Sequence, residues 1–117
     1  MKIFELPSEH GHLRGAIWDN VKNPKGTIQI AHGLVEYHDR YDEFAKFLNE
    51  HGYIVYCNDH LGHGLHVKKG ELKGYFADEN GYEAVVDQLA EMNSVIRKAH
   101  PSLNHFFIGH SLGCLLY

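Results

Sequence analysis

The sequence of 117 residues has little cysteine, no long apolar run and no excess of basic residues. Its two cysteines, Cys57 and Cys114, are too few for a disulfide framework and lie in apolar runs, so we expect free, buried thiols. No stretch approaches the length of a transmembrane helix, and the first residues lack the apolar core of a signal peptide, which favours a cytoplasmic location. The net charge of −4 offers no basic surface for nucleic acid.

Strand and helix patterns alternate along the chain, with no internal repeat, low-complexity tract or domain linker. Hydrophobic residues make up 44% of the sequence and charged residues 22%, as in ordinary globular domains. We expect strands at residues 2–6, 12–19, 27–31, 53–57 and 104–108. This order predicts the α/β class, with a mostly parallel sheet, flanking helices and right-handed crossovers.

The first predicted helix lies between the third and fourth strands. Its apolar residues recur at helical spacing at Tyr41, Phe44, Ala45 and Leu48. Asp39 is the expected N-cap and Gly52 the expected C-terminal stop.

A second amphipathic helix is predicted from about residue 80 to residue 99, ending before Pro101. Glu83, Asp87 and Glu91 are spaced by four along it. We interpret them as a solvated acidic face and not as a binding site.

The last nine residues contain the G-x-S-x-G pattern Gly109-His110-Ser111-Leu112-Gly113. Such a serine marks a nucleophile elbow when it joins a strand to a helix, because the sharp turn requires strained backbone angles and little bulk two residues away on either side. Here a strand-like run at 104–108, expected to be buried, precedes the pattern, and the residues from Leu112 onward could open a helix. A chance match is the alternative, since glycine and serine are common.

A second signal follows the third predicted strand, where the chain reads His32-Gly33-Leu34. In hydrolases with a nucleophile elbow, a backbone N–H in the loop after such a strand supplies one oxyanion donor, and Leu34 is the candidate. Gly33 would let the backbone approach a substrate closely. An ordinary tight turn is the alternative, but two weak signals in the right order favour catalysis.

Three ordered motifs, at residues 32–41, 58–64 and 109–113, resemble the monoacylglycerol lipase and lysophospholipase branch of the α/β-hydrolases. The resemblance implies Ser111 as nucleophile, with the amides of Leu34 and Leu112 as the oxyanion hole. His32, Gly33, Gly109, His110 and Gly113 would support this site. It also implies a small lipophilic ester as substrate and no cofactor.

In that family the acid and the base histidine follow the serine, with a cap between serine and acid. This sequence continues for only six residues after Ser111. We therefore expect residues 1–117 to be the N-terminal part of one α/β-hydrolase domain, truncated after the elbow, without its cap and inactive alone. The alternative is a non-catalytic piece that folds with the missing half or binds a second chain along strand 104–108.

The 11 histidines raise two further alternatives. A triad within the chain is disfavoured, because His110 should point away from Ser111 and His32 is better placed to brace the oxyanion loop. A zinc site would use the histidines at every third position and the aspartate before them, namely Asp59, His60, His63 and His66. Glycines in this segment interrupt any helix that would align those side chains, so no metal is expected.

Glu36 and Arg40 are four residues apart, close to the predicted oxyanion loop. The functional interpretation is an ion pair that fixes Leu34 and borders the acyl pocket. The alternative is an ordinary surface pair that contributes well under ~1 kcal/mol.

Overall fold

The computed structural model describes residues 1–33, 36–61 and 81–111. The elements in chain order are β1 (Lys2–Ser8), β2 (Gly11–Trp18), β3 (Gly26–Ala31), a 3-10 helix (His38–Tyr41), α1 (Asp42–Glu50), β4 (Tyr53–Asn58), α2 (Gly81–Ala99) and β5 (Asn104–Gly109). The five strands and the two amphipathic helices expected from the sequence are present with bounds close to those predicted, whereas the helix expected from Leu112 onward lies outside the described residues. Neither α1 nor α2, the α-helices in the described ranges, is long and apolar enough to cross a membrane.

The five strands form one sheet in the order β1-β2-β4-β3-β5. β2 is antiparallel to both of its neighbours, β1 and β4, whereas β3 is parallel to β4 and to β5. Four strands therefore run in one direction and only β2 is reversed, which confirms the mostly parallel sheet. The carboxyl ends of β3, β4 and β5 consequently meet at one edge of the sheet.

The core has two layers, one on each face of the sheet. On one face, Ala45 of α1 packs among Val55 and Cys57 of β4. On the other, residues of α2, Met92 among them, pack against Ile54 and Tyr56 of the same strand. β4 is thus buried on both faces, as its continuous apolar run indicated.

Both cysteines were expected to be free and buried. Cys57 is a free thiol with no exposed surface, which confirms the expectation for that residue. Cys114 lies outside the described residues.

The start of the first helix differs from the sequence prediction. Asp39 is not the N-cap: it lies inside the 3-10 turn, and α1 begins after Tyr41 with no side-chain cap. A carboxylate from a distant loop bonds to the 3-10 helix instead: Asp59 Oδ1 accepts the backbone N–H of His38 at 2.8 Å. Phe44 is also 40% exposed, although its spacing predicted a core position.

The C-terminal stop of α1 is as predicted. Gly52 has φ of +92°, a left-handed conformation that favours glycine after a helix. The backbone N–H of Gly52 bonds to the carbonyl of Asn49 at 3.0 Å and so ends the helix.

The acidic face of α2 is solvated only in part. Glu83 is exposed. Asp87 Oδ2 lies 2.9 Å from His10 Nε2, and Glu91 Oε1 accepts a hydrogen bond from Ser8 Oγ at 2.8 Å. Two of the three carboxylates therefore attach α2 to the β1–β2 turn. The sequence prediction missed these contacts, because the spacing of charges along a helix does not show which segment packs beside it.

β5 is less buried than its aromatic sequence predicted. It is the edge strand of the described sheet, with β3 as its strand neighbour. Phe107 packs against Val85 and Leu89 of α2, but Phe106, on the opposite face, is 50% exposed. The expectation of a buried strand was wrong because burial of a central strand requires neighbours on both sides.

Substitution of Gly15 tests the tight packing of β2 against β4. A Cβ at this position would overlap the carbonyl oxygen of Cys57 and lie 2.6 Å from Cα of Asn58. Backbone atoms cannot rotate away, so Gly15→Ala should lower the free energy of unfolding by about 2 kcal/mol or more. Urea denaturation measures this, with the exposed Ser94→Ala of α2 as control. Equal stability of the two variants would contradict the packing.

Candidate active site

Three loops meet where the parallel strands end. His32 and Gly33 follow β3, Asp59 and His60 follow β4, and His110 with Ser111 follows β5. The backbone N–H of His110 continues the β3–β5 ladder by bonding to the carbonyl of Ala31 at 3.0 Å. Because β3 lies between β4 and β5, its loop is next to both of the others. This edge is where open α/β sheets bind ligands.

Ser111 has the backbone conformation expected of a nucleophile elbow. Its φ is +54°, in the left-handed region that residues with a Cβ rarely adopt. The residue is exposed and comes two positions after the end of β5. A strained, exposed serine at the carboxyl end of a parallel strand is the arrangement from which a serine nucleophile attacks.

Gly33 lies directly against the serine turn. A Cβ on Gly33 would be 3.2 Å from Cβ of Ser111, 3.3 Å from Nδ1 of His110 and 3.1 Å from Oε1 of Glu36. All three distances are tighter than ordinary van der Waals contacts. Glycine therefore allows the β3 loop to lie close against the serine turn, whereas the expected close approach to a substrate stays a prediction.

Leu34, Leu112 and Gly113 lie outside the described residues. The two oxyanion amides and the second glycine of the elbow therefore stay predictions.

Glu36 holds the site together. Its side chain is only 9% exposed. Oε1 accepts the backbone N–H of Gly33 at 2.5 Å and the hydroxyl of Tyr41, and it lies 3.1 Å from Nδ1 of His110. Oε2 pairs with Nε of Arg40 at 3.0 Å. One carboxylate thus joins the β3 loop, the start of α1 and the serine turn.

The hydrogen bonds change the titration of both Glu36 and Tyr41. Burial alone would raise the pKa of Glu36, but hydrogen bonds from Tyr41, Gly33 and His110 outweigh burial and lower the pKa to about 2. Burial, and then the hydrogen bond to Glu36, raise the pKa of Tyr41. The carboxylate is therefore ionised and Tyr41 is a neutral donor near neutral pH.

Two buried histidines brace the same edge of the sheet. His32 Nε2 accepts the backbone N–H of His60 at 2.9 Å, so the proton of a neutral ring is on Nδ1, which donates to the carbonyl of Gly33 at 2.7 Å. His60 Nε2 in turn donates to the carbonyl of His32 at 2.9 Å. The rings fix the β3 and β4 loops relative to each other, which agrees with the bracing role expected for His32.

A third buried contact joins these loops to the start of α1. His38 Nδ1 lies 2.9 Å from Oδ2 of Asp59, and both side chains are at most 5% exposed. Asp59 and His60 thus make hydrogen bonds that hold the loops. His63 and His66, the other expected members of a zinc set, lie outside the described residues.

One group in the described ranges has the spacing of metal ligands. Glu9, His10 and Asp87 bring their ligand atoms within 4.8 Å of one another. Glu9 and His10 lie in the β1–β2 turn and Asp87 lies on α2 beside it, whereas Ser111 follows β5 at the opposite edge of the sheet. This group is not part of the site around Ser111.

The structure brings together most of the described residues that the sequence singled out. His110 faces Glu36, and no hydrogen bond links Ser111 to a histidine within residues 1–33, 36–61 and 81–111. The sequence analysis missed Tyr41, which was assigned only to the apolar face of a helix, and the His38–Asp59 pair. The position of Tyr41 five residues after Glu36 gave no signal of their contact.

Comparisons with known proteins agree with this geometry. A family described as serine aminopeptidase, S33, matches residues 22–117. The chain is 32% identical over 114 residues to a monoglyceride lipase homolog of monkeypox virus, covering 97% of this chain and 38% of that protein. It is 30% identical over 96 residues to the monoglyceride lipase of Rattus norvegicus, covering 82% of this chain and 30% of that protein.

A solved structure is similar over nearly the whole chain. The thermostable carboxyl esterase of Bacillus coagulans, in complex with glycerol, superposes with a TM-score of 0.87 at 26% identity. The match covers 98% of this chain and 37% of the esterase. The chain spans 30–38% of the length of these relatives.

The titration of Glu36 predicts how stability changes with pH. Its folded-state pKa of about 2 is below the ordinary 4.5, so the ionised carboxylate stabilises the fold above about pH 4.5. That contribution is lost as the pH falls toward 2. Wild type should exceed Glu36→Gln in unfolding free energy by up to ~3 kcal/mol at neutral pH, and the difference should shrink in acid.

Chemical denaturation of both proteins from pH 7 to pH 2 measures the difference. Glu43→Gln, at an exposed position of α1, controls for the loss of one negative charge. A constant difference between wild type and Glu36→Gln across this range would contradict the hydrogen-bonded carboxylate.

Proposed function

Because the chain belongs to the α/β-hydrolase family described as serine aminopeptidase, S33, we propose that it provides the nucleophile of a serine carboxylic-ester hydrolase. The observation that carries this proposal is the left-handed Ser111 at the end of β5, in contact range of Gly33. The substrate class is a small lipophilic ester such as a monoacylglycerol or lysophospholipid. Monoglyceride lipases among the relatives support an ester over the peptide that the family description names.

In the proposed reaction, Ser111 Oγ attacks the carbonyl carbon of the ester. A histidine outside the described residues takes the hydroxyl proton and passes it to the departing alcohol, and an acid orients that histidine. The backbone amides of Leu34 and Leu112 hold the oxyanion. Water then attacks the acyl-serine, the histidine takes its proton, and the carboxylic acid and free serine are released. The reaction uses no cofactor.

We propose that the base lies outside the described ranges, because the buried histidines within them bond to neighbouring loops. His32 and His60 bond to the loops that carry them, and His38 bonds to Asp59. Without a base, a serine hydroxyl is a weak nucleophile. Because the base histidine follows the serine in the chain order of the family, we propose that the 117-residue chain is inactive alone.

The open side of strand β5 is where we propose that the segment with the remaining catalytic residues joins the sheet. β5 is an edge strand in the described sheet, and Phe106 is 50% exposed there. An apolar edge strand is a template for pairing with a further strand. We propose that a polypeptide segment that carries the base histidine adds a strand along residues 104–108, either from the same protein or from a second chain.

The proposed role of Ser111 as nucleophile can be tested directly. A fluorophosphonate probe should label Ser111 in a protein that combines this chain with the segment carrying the base histidine, and Ser111→Ala should abolish labelling. Ser94→Ala, an exposed serine on α2, should label normally. Labelling that persists in Ser111→Ala would overturn the assignment.

The same prediction has a negative arm for the isolated chain. The 117 residues should hydrolyse a short p-nitrophenyl ester no faster than their Ser111→Ala variant, since loss of one triad member costs about 10³-fold or more. Turnover by the isolated chain that disappears in Ser111→Ala would show that a base lies within it.

The edge of β5 gives a separate prediction about assembly. The isolated chain should self-associate or aggregate, and Phe106→Lys should reduce this association because it places a charge on the apolar edge. Phe47→Lys is the matched control, since Phe47 is 52% exposed but lies on α1. Sedimentation velocity measures the association. A compact wild-type monomer, or equal effects of the two substitutions, would contradict pairing through β5.

A further inference from the structure

The contacts of Glu36 divide unequally between its two oxygens. Among the described residues, the partner of Oε2 is Arg40, whose side chain is 68% exposed, and such a pair is weak in water. Oε1 contacts Gly33, Tyr41 and His110, which belong to three different segments. The position of Oε1 therefore sets the distance between the β3 loop and the serine turn.

Of the three groups at Oε1, Tyr41 is the one fixed by the core. Its ring packs against the cluster that contains Trp18, Ala45 and Val55. Gly33 and His110, in contrast, lie in the loops that Oε1 connects. The Tyr41 hydroxyl is thus the fixed point to which both loops are attached through one oxygen.

We propose that Tyr41 is a positioning residue for the reaction, because its hydroxyl holds Oε1 of Glu36 where that oxygen aligns the oxyanion loop with the serine turn. This inference rests on the proposed function of Ser111. The Gly33 N–H is already bonded to Glu36, so it is not a free donor for an oxyanion. The proposed donor, Leu34, follows Gly33 directly in the sequence, and a loop that shifts at Gly33 displaces that donor from the reacting carbonyl.

The test uses Tyr41→Phe in the catalytically complete enzyme, because phenylalanine keeps the ring in the core and removes only the hydroxyl. We expect kcat to fall about tenfold with KM nearly unchanged, since small misplacements of catalytic groups have large effects on rate. Tyr37→Phe is the matched control: Tyr37 is 42% exposed and its described contact is a ring contact with His38.

Two inhibitors distinguish a positioning role of Tyr41 in the reaction from a purely structural role. A trifluoromethyl ketone, which forms a tetrahedral oxyanion on the serine, should bind Tyr41→Phe about tenfold more weakly, in step with kcat/KM. A non-hydrolysable ether analogue of the substrate forms no oxyanion and should bind equally well to both proteins. Equal affinity of both proteins for the ketone, or a kcat within twofold of wild type, would overturn the inference.

A second readout does not depend on activity. In the 117-residue chain, the Gly33 amide should be protected from hydrogen exchange, and both Glu36→Gln and Tyr41→Phe should increase its exchange rate while Tyr37→Phe does not. Unchanged exchange in Tyr41→Phe would overturn the inference. Failure of fluorophosphonate labelling at Ser111 would instead remove the proposed function and leave this measurement of the loop intact.

Discussion

The parallel pairing of β3 with both β4 and β5 is the constraint on which the site depends. Parallel strands end at the same edge, so the loops after residues 31, 58 and 109 are brought together although they are far apart in sequence. The register continues past the strands, because His110 bonds to Ala31. A shift of β5 by one residue would turn its side chains to the opposite face and separate Ser111 from Gly33.

Several polar side chains are buried at the carboxyl ends of the parallel strands. Their hydrogen bonds offset the free-energy cost of removing them from water. A buried carboxylate without partners costs several kcal/mol, whereas one that accepts several hydrogen bonds is stable as an anion. Glu36 and Asp59 both accept backbone N–H groups as well as side-chain donors. The same hydrogen bonds hold the loops in place. They therefore both stabilise the buried carboxylates and position the residues of the site.

The sequence predicted the elements, the sheet class and the family, because periodicity, turn residues and ordered motifs are local signals. The α/β-hydrolase fold and the resemblance to monoacylglycerol lipases are confirmed by the relatives. The errors concern contacts between distant segments. Asp39 was expected to cap the first helix but lies in the 3-10 turn before it, where Asp59 accepts the N–H of His38, and the 104–108 strand was expected to be buried although it lies at the edge of the described sheet. Helical spacing assigned Tyr41 to the core. It could not predict the hydrogen bond from the Tyr41 hydroxyl to Glu36, because Glu36 lies in a loop before the helix.

The strain at Ser111 and the bracing at Glu36 have a common physical origin. A residue with a Cβ held at φ +54° relaxes unless its surroundings fix it. The turn is fixed on one side by the β3–β5 ladder and on the other by the contact of His110 with Glu36. Since Glu36 is itself attached to Tyr41 in the core, contacts within the described residues set the orientation of Ser111. The buried histidines of the described residues, His32, His38 and His60, each bond to a neighbouring loop. The described residues thus position the serine that we propose as the nucleophile, whereas the groups that we propose for proton transfer lie outside them.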